Sequence, residues 1–121
     1  MKQYQINKAY KTLLKLTDFK LPVRAARDIY MLARQLEPSY SFELQQERKL
    51  AEQHGAQYDK NGMPLFATKD DAKAFQSELS EMINLEVELD FKPISISCDI
   101  FGDQLITAAE IASLEGFVDF E

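Results

Sequence analysis

Residues 21–53 read LPVRAARDIYMLARQLEPSYSFELQQERKLAEQ, and this stretch decides the fold. Pro22 stands where a helix can begin, because the first helical position needs no backbone N–H. Apolar residues then recur at the three- and four-residue intervals of one helix face, namely Ala26, Ile29, Tyr30, Ala33, Leu36, Tyr40 and Leu44. Pro38 lies inside this pattern and removes one helical hydrogen bond. The stretch therefore predicts either two helices or one kinked helix over about residues 23–54.

The part after Pro38 has its own signals. Ser39 or Ser41 could cap a restarted helix, and from Ser41 the carboxylate of Glu43 would lie in the first turn, where the helix dipole favours it. Residues 45–53 are strong helix formers with few apolar side chains. We therefore expect this end of the helix to project from the core.

The rest of the chain predicts short elements around this helix. Gln3-Tyr4-Gln5-Ile6 alternates in polarity like a strand, and Asn7 is a good cap for a helix over residues 8–17. Asn61-Gly62 indicates a hairpin turn, because these residues tolerate positive φ. The remaining predicted elements are a helix capped by Thr68 or Asp70 that runs to about Leu85, alternating strands at 86–91 and 94–97, and a short helix from Ala108 to Glu115 capped by Thr107.

These elements predict an α+β fold in a single domain of residues 1–121. We expect the long kinked helix to pack antiparallel to the helix 70–85, together with a small antiparallel sheet. The sheet would join residues 2–6 with 86–97, because a lone strand cannot satisfy its own backbone groups. The end of the long helix and the hairpin, about residues 45–67, would project.

The two parts of the chain carry opposite net charge. Residues 1–49 hold ten Lys and Arg against five Asp and Glu, a net charge of +5. Residues 50–121 hold four Lys against fifteen acids, a net charge of −11, and the whole chain carries −6. A molecule polarised in this way favours charged protein partners, or its own neighbours, over nucleic acid or an anionic membrane.

The one histidine and the one cysteine do not suggest catalysis. His54 stands at the polar end of the long helix and Cys98 lies in a different element. Nucleophilic catalysis needs a nucleophile, a base and an orienting group within hydrogen-bond reach. We expect a surface histidine, a buried or half-buried cysteine, no enzymatic activity and no cofactor. A lone cysteine and the lack of a membrane-spanning apolar run favour the cytoplasm.

Carboxylates are numerous, yet their pattern does not indicate a metal site. Asp71, Glu78 and Glu81 lie near one another on the predicted helix 70–85, without a histidine or a second acidic helix at a matched spacing. A solvated helix face explains them. The loop Asp59-Lys60-Asn61-Gly62 has its glycine two positions too early for a calcium loop and lacks the terminal glutamate. It predicts a turn.

Two groups of charged residues are candidates for binding a protein partner. The acidic segment places five carboxylates within residues 78–90, where they could occupy a groove lined by Lys and Arg. Its members are Glu78, Glu81, Glu86, Glu88 and Asp90. The basic candidates are Arg24, Arg27 and Arg34.

An alternative use of the basic residues is contact with nucleic acid. Lys8, Lys11 and Lys15 could join the three arginines in a basic stripe over residues 8–34, and tyrosines could supply stacking. The acidic remainder of the chain opposes this use, because affinity for nucleic acid comes mainly from neutralising phosphates.

Several segments together carry a resemblance over nearly the whole chain, namely Ile6-Asn7-Lys8, Leu21 to Arg27, Tyr58 to Gly62, Phe75 to Leu89, Pro93-Ile94, Leu105 with Ala108 to Leu114, and Phe117 to Glu121. With these segments the chain resembles a group of small uncharacterised proteins of tailed phages and prophages. Pro38 and Ser39-Tyr40-Ser41 depart from the uninterrupted helix of that group. The resemblance implies a phage or prophage origin and brings no catalytic residue.

These observations lead to one functional hypothesis. We expect a non-enzymatic phage or prophage protein that binds another protein, as a virion or assembly component or as an inhibitor of a host factor such as a defence protein. Its place would be the host cytoplasm or the virion, and self-association is a further expectation.

Overall fold

The computed structural model describes residues 1–121 and contains four α-helices and two separate two-stranded sheets. The helices are α1 (Gln3–Leu16), α2 (Val23–Gln53), α3 (Lys69–Ile83) and α4 (Ala108–Ser113). The strands are β1 (Gln57–Tyr58), β2 (Pro64–Leu65), β3 (Ile94–Ile96) and β4 (Val118–Phe120), and a 3-10 turn spans Cys98–Phe101. The predicted α+β class is confirmed.

The main core lies between α1, the first half of α2 and the C-terminal part of the chain. α1 buries an apolar stripe at helical spacing, Ile6, Ala9, Leu13 and Leu16, and α2 contributes Ile29, Leu32, Ala33 and Leu36. Ile96, Phe101, Leu114, Phe117 and Val118 complete the same cluster. The segments after residue 86 therefore cover the pair formed by α1 and α2.

The predicted strand at residues 2–6 is wrong, because Gln3 to Ile6 form the first turn of α1. Gln3 and Ile6 extend the buried stripe of the helix upstream by one turn, and Gln5 Oε1 accepts a hydrogen bond from the Lys2 N–H at 2.8 Å. Four alternating residues fit the first turn of a helix as well as a strand. Only a single antiparallel bridge, between Lys2 and Glu86, remains of the expected pairing.

The predicted sheet of residues 2–6 with 86–97 is therefore wrong as well. β3 pairs in parallel with β4, in the register Ile94 to Val118 and Ile96 to Phe120. Residues 87–93 have no regular secondary structure and no partner strand. The antiparallel pairing occurs elsewhere, in the hairpin of β1 and β2, where Gly62 adopts a φ of 78° in the predicted turn.

α2 runs without a break from Val23 to Gln53 and contains Pro38 in its interior. Of the two predicted alternatives, the division into two helices is wrong. Contacts on both sides of the proline hold the helix together: Leu36 is fully buried, and Ser39 exchanges hydrogen bonds of 3.3 and 3.4 Å with the Gln3 side chain. Tertiary contacts of this kind offset the roughly 3 kcal/mol that an interior proline costs a helix.

The end of α2 packs against another helix. α3 packs against it in the antiparallel direction, since Phe75 lines a cavity with residues 44–51 of α2, whereas Met82 lines another with residues 39–46. Phe75 is buried and its ring centroid lies 5.0 Å from that of Phe66, which follows β2. The region expected to project, residues 45–67, is thus covered on one side by α3.

The cap predicted for the first helix is wrong, because Asn7 lies inside α1 and Lys2 is its N-cap. The caps predicted for α3 and α4 are present. Thr68 Oγ1 accepts a hydrogen bond from the Asp71 N–H at 3.1 Å at the start of α3. Thr107 and Glu110 form a reciprocal capping box at the start of α4. These short-range signals place the two helices within one or two residues of the prediction.

Candidate protein-binding surfaces

Arg24, Arg27 and Arg34 lie on one side of α2, which we call the arginine face. Their spacing turns them away from the buried stripe of the same helix. All three are exposed and none forms an ion pair within the chain. Arg34 Nη1 donates to the Tyr30 hydroxyl at 3.0 Å, and this contact raises the pKa of the guanidinium. The arginine face is therefore free to meet an anionic partner.

Lys8 and Lys15 of α1 do not continue this face. Lys15 Nζ contacts Glu110 Oε1 at 2.7 Å, and Lys8 lines a cavity beside α4 with its ammonium 5.5 Å from the ring centre of Tyr4. Arg27 instead borders residues 92–95. Within the predicted stripe 8–34, Lys8 and Lys15 thus lie toward α4, whereas Arg27 lies toward β3.

All five carboxylates of the acidic segment are exposed. Glu78 and Glu81 lie on α3, and Glu86, Glu88 and Asp90 point to solvent because the residues that alternate with them, Val87, Leu89 and Phe91, pack on the core. The predicted alternation is therefore present in burial, although residues 86–91 form no regular strand. Phe91 anchors this segment by stacking on Phe117 with centroids 4.9 Å apart.

Two of these five carboxylates already have partners. Glu78 Oε2 lies 3.1 Å from His54 Nε2, and Glu86 Oε2 lies 3.0 Å from the terminal ammonium of Met1. Glu81, Glu88 and Asp90 form no ion pair. The charges of these three carboxylates are not neutralised within the chain, so they are available to a basic partner.

The histidine and the cysteine differ from their predicted environments. His54 is half-buried at the end of α2, where it joins that helix to α3 through Glu78. Cys98 is exposed at the start of the 3-10 turn, so the expectation of a buried or half-buried thiol is wrong. Ser97 and Asp99 beside it are also exposed, since the chain leaves the sheet at this point.

Sequence reasoning missed the burial of Glu43. Its side chain is only 4% exposed, and its Oε1 has no hydrogen-bond partner. Burial raises the pKa of this carboxyl, as does the neighbouring charge of Glu47, while Asn7 and Lys11 act in the opposite direction. The carboxyl lies between α2 and α1 and lines a cleft of about 230 Å³ that reaches α3.

A signal for this burial exists in the sequence. Glu43 lies seven residues after Leu36 and eight before Ala51, both of which are buried. Residues at such spacings share one helix face if the helix is continuous. The signal is obscured because Pro38 suggests a restarted helix with Glu43 in its exposed first turn.

The chain matches no protein-family model, no curated protein and no solved structure. None of its helices, the 31-residue α2 included, has the combination of length and apolar content that a membrane span needs.

Proposed function

We propose that this chain is a non-enzymatic protein that acts by binding another protein through its charged surfaces. The observation that carries the proposal is that Arg24, Arg27, Glu81, Glu88 and Asp90 are exposed and have no ion-pair partner within the chain. Uncompensated charges of both signs steer association with a complementary partner and set its orientation.

The resemblance to phage and prophage proteins supports a more specific version of this proposal. The partner would be a virion or assembly protein, or a host factor such as a defence protein. The protein would work in the host cytoplasm or in the virion. A basic host factor would meet the acidic segment, and an acidic partner would meet the arginine face.

Capture from a bacterial lysate tests the proposal when it is done with matched charge variants. We would compare the wild type with Arg24→Glu/Arg27→Glu, with Glu81→Lys/Glu88→Lys, and with the control Lys49→Glu/Lys60→Glu, and quantify captured proteins by mass spectrometry. Lys49 and Lys60 are exposed, one near the end of α2 and the other in the hairpin. A true partner is captured by the wild type and the control and is depleted by one of the two test variants.

Binding of the purified partner at two salt concentrations then completes the test. Contacts between exposed charges weaken as salt rises, because the screening length falls from about 30 Å at 0.01 M to about 8 Å at 0.15 M. Capture that no charge variant changes would contradict the proposal. Retention of DNA or RNA at physiological salt, lost on Arg24→Glu/Arg27→Glu, would instead favour a nucleic-acid function.

A further inference from the structure

β3 leaves one edge of its sheet open. On its paired edge, the Ile94 N–H donates to the Phe117 carbonyl at 3.1 Å and the Glu121 N–H donates to the Ile96 carbonyl at 2.9 Å. Backbone groups alternate in direction along a strand, so the N–H and C=O of Ser95 point to the opposite edge. No strand lies there, and Ser95 is exposed. Such an edge is a template for a further strand.

A groove of about 430 Å³ lies between β3 and α2. Its α2 side includes Arg27, Met31 and Gln35, and the other side includes Lys92, Ile94 and Ser95. Gln35 Oε1 accepts a hydrogen bond from the Lys92 N–H at 2.8 Å, which holds the chain against α2 just before β3. Met31 is 46% exposed and offers an apolar surface inside the groove.

The charge of the groove selects its ligand. Arg27 and Lys92 form no ion pair, and Asp28 is the only acid among the residues that line the groove. Arg24 stands one helical turn before Arg27 and extends the positive charge along α2. Carboxylates on a bound segment could therefore form charge-assisted hydrogen bonds with groups that are otherwise unpaired.

We propose that the groove between α2 and β3 binds an extended acidic segment of a protein partner, which adds a strand to the free edge of β3. The backbone of the segment would bond to Ser95. Side chains alternate along a strand, so the acidic residues of the segment share one face, which can meet Arg27, and the apolar residues between them lie on the opposite face. This inference rests on the proposed function, because it assigns the arginine face one class of ligand.

Two synthetic peptides of ten residues test the inference, one alternating Val and Glu and the other alternating Val and Lys. We expect the Glu peptide to bind the full chain in fluorescence anisotropy at low salt and the Lys peptide not to bind. Amide exchange followed by NMR should show the Ser95 N–H slowed about tenfold or more at saturation, as for a newly formed backbone hydrogen bond. Unchanged exchange of Ser95 in the presence of bound Glu peptide would overturn strand addition.

Variants at one position separate the backbone from the side chain. Ser95→Pro removes the N–H that points away from β4, whereas Ser95→Ala keeps it. Loss of one backbone hydrogen bond of about 1.4 kcal/mol corresponds to a tenfold loss of affinity. We expect that loss for Ser95→Pro and no change for Ser95→Ala. If Ser95→Pro does not fold, the exchange of Ser95 in the wild type decides the question.

The remaining outcomes each decide one point. Arg27→Glu should weaken the Glu peptide at least tenfold, and equal affinity would overturn the charge assignment. Protection of Ser95 that grows with protein concentration alone would assign the edge to a second copy of the chain. If the Glu peptide does not bind but capture of a protein partner depends on the charge variants, strand addition alone is overturned. If the Glu peptide binds but no protein partner is captured, the proposed function alone is overturned.

Discussion

Two regions of the molecule differ sharply in how much apolar surface they bury. The body, made of α1, the first half of α2 and residues 86–121, holds all thirteen residues of the main buried cluster. The arm, made of the second half of α2, the hairpin and α3, adds only Ala51 and Phe75 to the buried apolar residues. Since apolar burial is the main source of stability, the body should hold the fold and the arm should open locally.

The continuity of α2 joins these two regions. Pro38 lies where the helix passes from the body to the arm, and Glu43 is buried little more than one turn further on. Both residues destabilise the junction. Pro38 removes a helical hydrogen bond, and Glu43 buries a carboxyl oxygen that has no hydrogen-bond partner. The arm is therefore held less firmly than the length of its helix would suggest. Four measurements would test this difference.

The largest effect is expected in the body. Leu13 is fully buried in the main cluster, so Leu13→Ala should lower the free energy of unfolding by about 3–4 kcal/mol. Urea denaturation followed by circular dichroism measures this loss. Leu14→Ala is the matched control, because Leu14 is 44% exposed on the same helix. Equal losses from both variants would show that the body lacks the described core.

The next effect distinguishes the arm from the body. Phe75→Ala removes the largest buried side chain of the arm and should cost about 3 kcal/mol, the low end for a buried phenylalanine, because few other apolar residues of the arm are buried. Hydrogen exchange should rise in α3 and remain unchanged in α1. Phe42→Ala serves as control, because Phe42 is 63% exposed. Uniform acceleration of exchange in α1 and α3 would show that body and arm unfold as one unit.

A smaller gain is expected at the junction. Pro38→Ala should restore a backbone hydrogen bond to the Arg34 carbonyl and raise the free energy of unfolding by about 1–2 kcal/mol, after the greater freedom of the unfolded chain is subtracted. Pro22→Ala should show no such gain, because Pro22 is the residue just before α2. Thermal denaturation of both variants provides the measurement. A loss of stability in Pro38→Ala would contradict this account of the junction.

The smallest effect depends on pH. The folded state raises the pKa of Glu43, so this residue favours folding below the ordinary Glu pKa, and that contribution is lost as the pH rises through the folded value. Glu43→Gln should therefore add about 1 kcal/mol at pH 7 and nothing near pH 4. Glu52→Gln, at an exposed position of the same helix, should be neutral at both values. Equal gains at pH 4 and pH 7 would contradict the assignment to ionisation.

Short-range features of the fold were predictable from the sequence. The helical intervals of α2 and α3, the threonine caps at 68 and 107, and the Asn61-Gly62 turn each depend on residues a few positions apart. Local sterics and hydrogen bonding determine such features independently of the tertiary structure. The positions of the candidate charges were predictable for the same reason, since polar residues that alternate with apolar ones lie on the outside.

Only the tertiary structure decided the features that depend on distant residues. Residues 3–6 become helical because Ile6 meets the core, and α2 passes Pro38 because Gln3 and Leu36 hold its two sides. β3 pairs with β4 rather than with the N-terminus, and α2 brings Arg27 beside Lys92. Local pattern determines which conformations a segment can adopt with little strain. Packing of the segment against distant parts of the chain then selects one of these conformations, and that packing alone determines which surface charges come together.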